Sequence, residues 1–121
     1  MKFLLGITQI KPTLGNLDAN LAMVEEAGAQ AKKRRVDLLV FPELGLTGYF
    51  LKDMVPGVAL MKGSSGFRRL LEMSKGLALL IGFVEESRSH IFYNAAAFMD
   101  EGRLAHIHRK VYLPTYGIFD E

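Results

Sequence analysis

The chain has 121 residues, of which half are hydrophobic and 23% are charged, so it is long enough for one domain with a packed core. Its net charge is only +2, which is too small to indicate nucleic-acid binding, and no apolar run reaches the length of a membrane span. Cysteine is absent, which excludes disulfides and thiolate metal sites within these residues. These features predict a cytoplasmic protein without nucleic-acid or membrane partners.

The predicted elements follow in the order β, α, β, α, β, β, β, which places the chain in the α/β (α+β) class. Asn16 or Asp18 can cap the first helix, and Ser64 or Ser65 can cap the second. The connection at 49–62 is irregular and longer than a passive link requires. Strands are predicted where apolar and β-branched residues cluster, at 3–10, 36–41, 77–85, 91–99 and 103–110.

The first predicted helix has one apolar face, because small or hydrophobic residues recur at helical spacing at Leu17, Leu21, Val24, Gly28 and Ala31. Lys32-Lys33-Arg34-Arg35 follows at its end, where cations interact favourably with the helix dipole. The same basic cluster could instead bind nucleic acid, an alternative that depends on these four residues alone.

A carboxylate follows a buried strand in the stretch that starts at Leu38. A core strand is predicted at Leu38-Leu39-Val40-Phe41. Pro42 ends this strand, because proline cannot donate a hydrogen bond to a sheet ladder. Glu43 therefore lies at the carboxyl tip of that strand, where α/β sheets place their sites. Alternatively, Glu43 is a strand-end residue that simply faces water.

A cation follows a second strand. Lys110 ends the predicted strand 103–110 and leads directly into Val111-Tyr112-Leu113-Pro114. A fixed ammonium can stabilise negative charge that develops on a substrate oxygen or nitrogen. The alternative is an exposed lysine at a strand end.

Two motifs in this order resemble those of the carbon–nitrogen hydrolase (nitrilase) superfamily. The stretch 41–49 is similar to the family's Glu motif, and 109–114 is similar to its Lys motif. Between them, Gly82-Phe83-Val84-Glu85 and Tyr93-Asn94-Ala95-Ala96 stand where the family has similar strands. The resemblance runs from Met1 to Glu121 and covers the amino-terminal part of the family's domain.

The resemblance implies an α-β-β-α sandwich, of which these residues form about half as one incomplete domain at 1–121. It also implies hydrolysis of an amide or nitrile C–N bond, with Glu43 as general base and Lys110 as the stabiliser of the developing negative charge. The family's nucleophile is a Cys downstream of the Lys motif, and this chain holds none. The family requires no cofactor or metal, and its substrates are small amides or nitriles.

Two further residues are candidates by resemblance. Tyr49, with Asp53, resembles the sequence that follows the Glu motif in glutamine-hydrolysing members, including the ammonia-supplying domain of NAD synthetases. The intervening Phe50-Leu51-Lys52 differs from the Pro and acidic residues expected there. Glu121 matches a second Glu that supports the base and the substrate. The alternatives are a packing aromatic for Tyr49 and a solvated terminus for Glu121.

Two other features of the sequence bear on function. His106 and His108 alternate along a strand as a metal pair would, but no third ligand is evident, so no metal is predicted. A chain that ends after the Lys motif leaves one side of its sheet without the rest of the sandwich. The alternative to a hydrolase is therefore an inactive half-domain that forms a homo-oligomer or binds a completing subunit.

Overall fold

The computed structural model describes residues 2–48, 51 and 54–110. Five strands and three helices lie within these residues. The helices are α1 (Leu17–Lys33), α2 (Val55–Val58) and α3 (Ser65–Met73). The strands are β1 (Leu5–Ile7), β2 (Leu38–Val40), β3 (Ala78–Glu86), β4 (Phe92–Asp100) and β5 (Arg103–Arg109).

The strands form one mixed sheet in the order β1-β2-β3-β4-β5. The first three strands are parallel, and helices connect them, as parallel neighbours require. β3, β4 and β5 are antiparallel neighbours joined by short turns. The predicted α/β class is confirmed, with β2 in the parallel half of the sheet and β5 in the antiparallel half.

The predicted helix caps are confirmed. The Asn16 side chain accepts a hydrogen bond from the Ala19 N–H, and the Ser64 hydroxyl accepts one from the Phe67 N–H. Each bond satisfies one of the N–H groups that a helix start leaves without a helical partner. Gly76, with φ of +82°, lies just after α3, in a conformation that suits glycine.

Two predicted segments differ most from the structure. β1 covers only Leu5–Ile7 of the predicted 3–10, because it pairs with β2 alone and β2 itself has three residues. The connection at 49–62 contains the short helix α2, whose Pro56 and Gly57 are residues typical of a loop. Proline is tolerated in the first turn of a helix, where its missing N–H has no helical partner in any case.

The main core lies between the sheet and the helices α1 and α3. Leu21 and Val24 of α1 and Phe67 of α3 are buried against alternate residues of the central strands. The Phe67 and Phe83 rings lie 6.0 Å apart, within the range of favourable aromatic pairs. The same face of the sheet contributes Leu39, Leu79, Ile81, Phe83, Ala95, Ala97 and Met99.

The opposite face of the sheet, called the open face below, is apolar and only partly covered by the described residues. Leu5 is 49% exposed and Ile7 is 71% exposed. α2 and Leu44 cover Val84 at one end of this face. The residues that define the open face in the centre of the sheet are Leu38, Val40, Leu80, Ala96 and Phe98, each of intermediate exposure.

A tight turn joins β4 and β5. Glu101 and Gly102 both have positive φ, 53° and 75°, which is the requirement of a two-residue type I′ hairpin. Further along the hairpin the register shifts: Met99 pairs with Leu104, but Phe98 pairs with His106. Ala105 is therefore an extra residue on β5, a β-bulge.

None of the helices in the described part of the chain is both long and apolar enough to cross a bilayer.

Candidate active site

Glu43 lies in a tight turn that follows directly from β2. Pro42 ends the strand, and its carbonyl oxygen accepts a hydrogen bond from the Gly45 N–H at 3.0 Å. The Gly48 N–H closes the next turn onto the Leu44 carbonyl at 2.8 Å. Leu44 has a φ of +50°, an uncommon conformation for a non-glycine residue, and its side chain is fully buried. The turn is therefore held by both backbone bonds and packing, which fixes where the Glu43 side chain begins.

Gly82 on β3 lets this turn lie directly on the open face of the sheet. A Cβ at residue 82 would come within 2.6 Å of the Leu44 nitrogen, 2.8 Å of the Pro42 oxygen and 3.0 Å of the Glu43 Cα. All three are backbone atoms, which cannot rotate away as a flexible side chain could. The absence of a side chain at 82 is thus a condition for the position of Glu43.

Asn20 of α1 ties the Glu43 turn to the loop that precedes the helix. Its side chain is fully buried. Its amide donates to the Leu46 carbonyl and to the Thr13 carbonyl, each at 2.8 Å, while its oxygen accepts from the Thr13 N–H at 2.7 Å. One buried amide therefore satisfies three backbone groups from two loops.

Lys110 reaches the same point from the end of β5. Its Nζ donates to the Glu43 Oε1 at 2.8 Å, across 67 residues of sequence. Asn94 of β4 donates from its Nδ2 to the same Oε1, also at 2.8 Å. The Asn94 backbone carbonyl accepts from the Lys110 N–H at 2.9 Å. The structure therefore brings the two residues that the sequence singled out into direct contact, and adds a third that it did not.

These side chains border a cavity of about 260 Å³ that opens on the open face of the sheet. Glu43 and Lys110 remain about two-fifths exposed there, with side-chain exposures of 38% and 39%. The wall is otherwise mostly apolar, and His108 also contributes to it. A carboxylate, an ammonium and an amide in one apolar-walled cavity can exchange a proton with a bound molecule and stabilise negative charge on it.

On the helix-facing side of the sheet, beside this site, lies an ion pair that sequence reasoning missed. Glu85 is only 2% exposed and accepts two hydrogen bonds from Arg109, at 2.7 and 3.1 Å. The guanidinium also lies 4.2 Å from the centre of the Tyr93 ring. The hydrogen bonds that Arg109 donates to Glu85 raise the pKa of the guanidinium. The pair fixes β5 to β3 immediately before Lys110.

The missed residues carried signals that could have found them. Asn94 is a polar residue inside an otherwise apolar strand, and a buried amide there needs a partner. Gly82 interrupts an apolar strand, which indicates close approach of another backbone. The signals at Asn94 and Gly82 each indicate that a contact exists, but neither identifies the Glu43 turn as the contacting segment.

Among the other residues that the sequence singled out, His108 borders the cavity. Tyr49, Asp53 and Glu121 lie outside the residues that the structure describes. His106 and His108 are exposed on β5. The described ranges contain no group of three or more His, Cys, Asp or Glu residues that could hold a metal ion.

Several known proteins are similar to this chain in sequence, in fold or in both. A curated relative, the glutamine-dependent NAD+ synthetase of Acinetobacter baylyi, is 35% identical over 120 residues, covering 98% of this chain but 22% of the relative. The structure of the corresponding synthetase of Acinetobacter baumannii superposes with a TM-score of 0.80 and 33% identity, over 98% of this chain and 22% of that one. An amidase of a Nesterenkonia species shares the fold, with a TM-score of 0.80 and 23% identity, over 98% of this chain and 45% of the amidase. The chain spans about a fifth of the length of the synthetases that it matches.

The family profile described as carbon-nitrogen hydrolase matches residues 4–121, nearly the whole chain. The match includes both the Glu43 turn and β5, which Lys110 follows directly. Together with the mixed α/β fold, it shows that the chain belongs to the carbon–nitrogen hydrolase family.

Proposed function

We propose that this chain supplies the general base and the charge-stabilising cation for hydrolysis of the side-chain amide of glutamine. The observation that carries the proposal is the contact between the Lys110 Nζ and the Glu43 Oε1, 2.8 Å long, at the wall of a cavity on the sheet surface. The relatives' description as glutamine-dependent synthetases supports glutamine as the substrate. Residues 1–121 would form the amino-terminal part of one hydrolase domain, acting in the cytoplasm.

The nucleophile in this proposal is a cysteine outside these 121 residues, since none occurs within them. Glu43 accepts the thiol proton, and the thiolate attacks the amide carbon. Negative charge moves to the amide oxygen, where the ammonium of Lys110 stabilises it. The C–N bond then breaks, Glu43 returns the proton to the leaving nitrogen, and ammonia departs from a thioester.

The second half of the reaction uses the same two groups. Glu43 accepts a proton from water, which attacks the thioester carbon beside Lys110. The carbon–sulfur bond breaks, the thiol regains its proton and glutamate is released. The proposal extends to the use of the ammonia: by analogy with the glutamine-dependent NAD+ synthetases, another part of the native protein uses it in the synthesis of NAD+.

The test is ammonia release from glutamine by the native protein that contains this sequence, compared with E43Q and K110M variants. We expect turnover by the wild type, with loss of at least about 100-fold in either variant. A thioester trapped by acid quenching in the wild type, and absent in E43Q, would identify the covalent step. No ammonia from glutamine or from simple amides, in a protein whose intact mass accommodates a cysteine-bearing segment, would overturn the proposal. Residues 1–121 purified alone should release none.

A second candidate function is a non-catalytic half-domain that binds another subunit or a second copy of itself. The observation that favours it is the apolar open face, where Ile7 is 71% exposed and Leu80 and Phe98 are partly exposed in the described structure. Size-exclusion chromatography with light scattering on the native protein tests this reading. A well-behaved monomer with full hydrolytic activity would exclude it.

A further inference from the structure

We propose that Asn94 is a positioning residue that sets the Glu43 carboxylate and the Lys110 ammonium relative to each other. This inference rests on the proposed hydrolytic function, because it assigns a task within that reaction. It concerns a residue that takes no proton and forms no bond to the substrate. Its effect on the reaction is exerted through Glu43 and Lys110.

The geometry places Asn94 between the two groups in two separate ways. Its side-chain Nδ2 donates to the Glu43 Oε1, and its backbone carbonyl accepts from the Lys110 N–H, at 2.8 and 2.9 Å. One residue of β4 therefore holds the tip of the Glu43 side chain and the backbone from which the Lys110 side chain starts. Both groups are therefore held by the same strand, β4, rather than by separate loops.

Burial makes this arrangement specific. Asn94 is 4% exposed, whereas the Glu43 and Lys110 side chains are 38% and 39% exposed. A half-exposed ion pair between long side chains is weakly ordered by itself, because side-chain entropy opposes a single geometry. A buried amide with a fixed rotamer removes part of that freedom. An ionised carboxylate only accepts hydrogen bonds, so the amide must present its NH₂ to Glu43.

The amide also favours one charge state of its partner. Donation to a carboxylate stabilises the ionised form, which is the form that accepts a proton from a nucleophile. The other titratable groups that border the cavity in the described structure are Lys110 and His108. Both remain in every Asn94 variant, so a change in pH dependence on substitution reports the lost amide.

The experiment compares N94A and N94D with the wild-type native protein in glutamine hydrolysis over pH. For N94A we expect kcat to fall roughly 10- to 100-fold, because misplacement of a catalytic group by about 1 Å has effects of that size. KM should change by less than about threefold, since the Asn94 amide is already bound to Glu43 and the proposed role acts through that bond. The acidic limb of the kcat profile should move up by about one pH unit, as expected for loss of a hydrogen bond to a charged group.

N94D has the same size but replaces the donor with an acceptor. We expect its acidic limb to move up at least as far, because a second carboxylate beside Glu43 disfavours ionisation. The matched control is S74A, which removes another fully buried side chain that makes two hydrogen bonds, far from the cavity. Ser74→Ala should lower stability without moving the pH profile.

Two results would overturn the inference. The first is an active wild type in which N94A and N94D keep the wild-type kcat and pH profile. The second is a shift of the same size in S74A, which would mark a general effect of lost buried bonds. If the wild type itself has no activity, the titration midpoint of the Glu43 carboxyl, followed by carbon NMR in the native protein, still tests the inference. An unchanged midpoint in N94A and N94D would contradict it, independently of the fate of the proposed function.

Discussion

Gly82 lies so close beneath the Glu43 turn that a Cβ at residue 82 would come 3.0 Å from the Glu43 Cα and 2.6 Å from the Leu44 nitrogen. We predict that G82A displaces the turn and destabilises the protein by roughly 1–3 kcal/mol, the usual cost of overpacking. Glutamine hydrolysis by the native protein should fall by more than the fraction unfolded explains. Urea unfolding and steady-state kinetics measure the two effects.

Gly57 provides the control for this prediction. It lies in α2, and a Cβ there would meet nothing within 4 Å. G57A should be neutral or stabilise by about 0.4–1 kcal/mol, because alanine restricts the unfolded chain more than glycine does. If G82A were as stable and as active as G57A, the turn would tolerate a side chain beneath it, and the close approach would have no role in positioning Glu43.

Breaking the Lys110–Glu43 pair should affect function far more than folding. Both side chains are more than a third exposed, and exposed ion pairs contribute at most about 1 kcal/mol to stability. We therefore expect K110M to change the free energy of unfolding by less than that, while kcat/KM for glutamine falls at least about 100-fold. The control is K75M, which breaks the exposed Lys75–Glu72 pair at 3.0 Å and should change neither quantity. Global unfolding of K110M would instead indicate a structural pair.

Asn20 should prove important for stability, because its fully buried amide binds the Thr13 N–H, the Thr13 carbonyl and the Leu46 carbonyl. N20A removes these partners and should destabilise by about 1–3 kcal/mol in urea unfolding. The matched control is Q30A in the same helix, where an exposed amide bonds only to Glu26 at 3.1 Å. A change beyond about 0.5 kcal/mol is not expected there. Equal stability of N20A and Q30A would contradict the role given to Asn20.

The bridge between Arg69 of α3 and Glu25 of α1 should give a pH-dependent part of the stability. Hydrogen bonding from Arg69 lowers the pKa of Glu25 below its ordinary value of 4.5, and partial burial opposes this effect. A lowered pKa in the folded state contributes stability above the unfolded pKa, which is lost as the pH falls through the folded pKa. Arg69 stays protonated throughout, so only the carboxylate titrates.

We predict that R69M is less stable than the wild type by roughly 0.5–1 kcal/mol at pH 7, a value typical of partly exposed pairs. The difference should shrink as the pH falls below 4.5. Urea unfolding at a series of pH values measures it. R68M is the control, because Arg68 donates to the Gly63 carbonyl rather than to a carboxylate. A difference between R69M and wild type that stayed constant down to pH 2 would rule out the assigned linkage.

The features that the sequence predicted correctly depend on short-range signals. Asn16 and Ser64 cap helices three residues away, and Pro42 ends the strand beside it. Glu43 and Lys110 were found as individual residues because each follows a recognisable strand within a family motif. The length of β1 was overestimated, because an edge strand is limited by its neighbour rather than by its own apolar pattern.

The contacts that hold the candidate site and that the sequence patterns do not predict join distant positions. Asn94 and Glu43 are 51 residues apart, and Arg109 and Glu85 are 24 apart. Such pairs depend on strand order and register, which apolar periodicity does not specify. The close approach of Gly82 likewise requires the path of the Glu43 turn. Sequence patterns therefore indicated which residues could react, whereas the partners that hold them depend on the assembled sheet.

The bulge at Ala105 determines which of two neighbouring cations meets the carboxylate. Beyond the bulge, Ala95 pairs with Arg109, and Lys110 binds the Asn94 carbonyl. Had the regular pairing of Met99 with Leu104 continued, Arg109 would stand opposite Asn94, and each later side chain of β5 would face the other side of the sheet. A regular ladder that paired Ala105 with Phe98 would thus offer Glu43 a guanidinium and turn the amine of Lys110 towards α1 and α3.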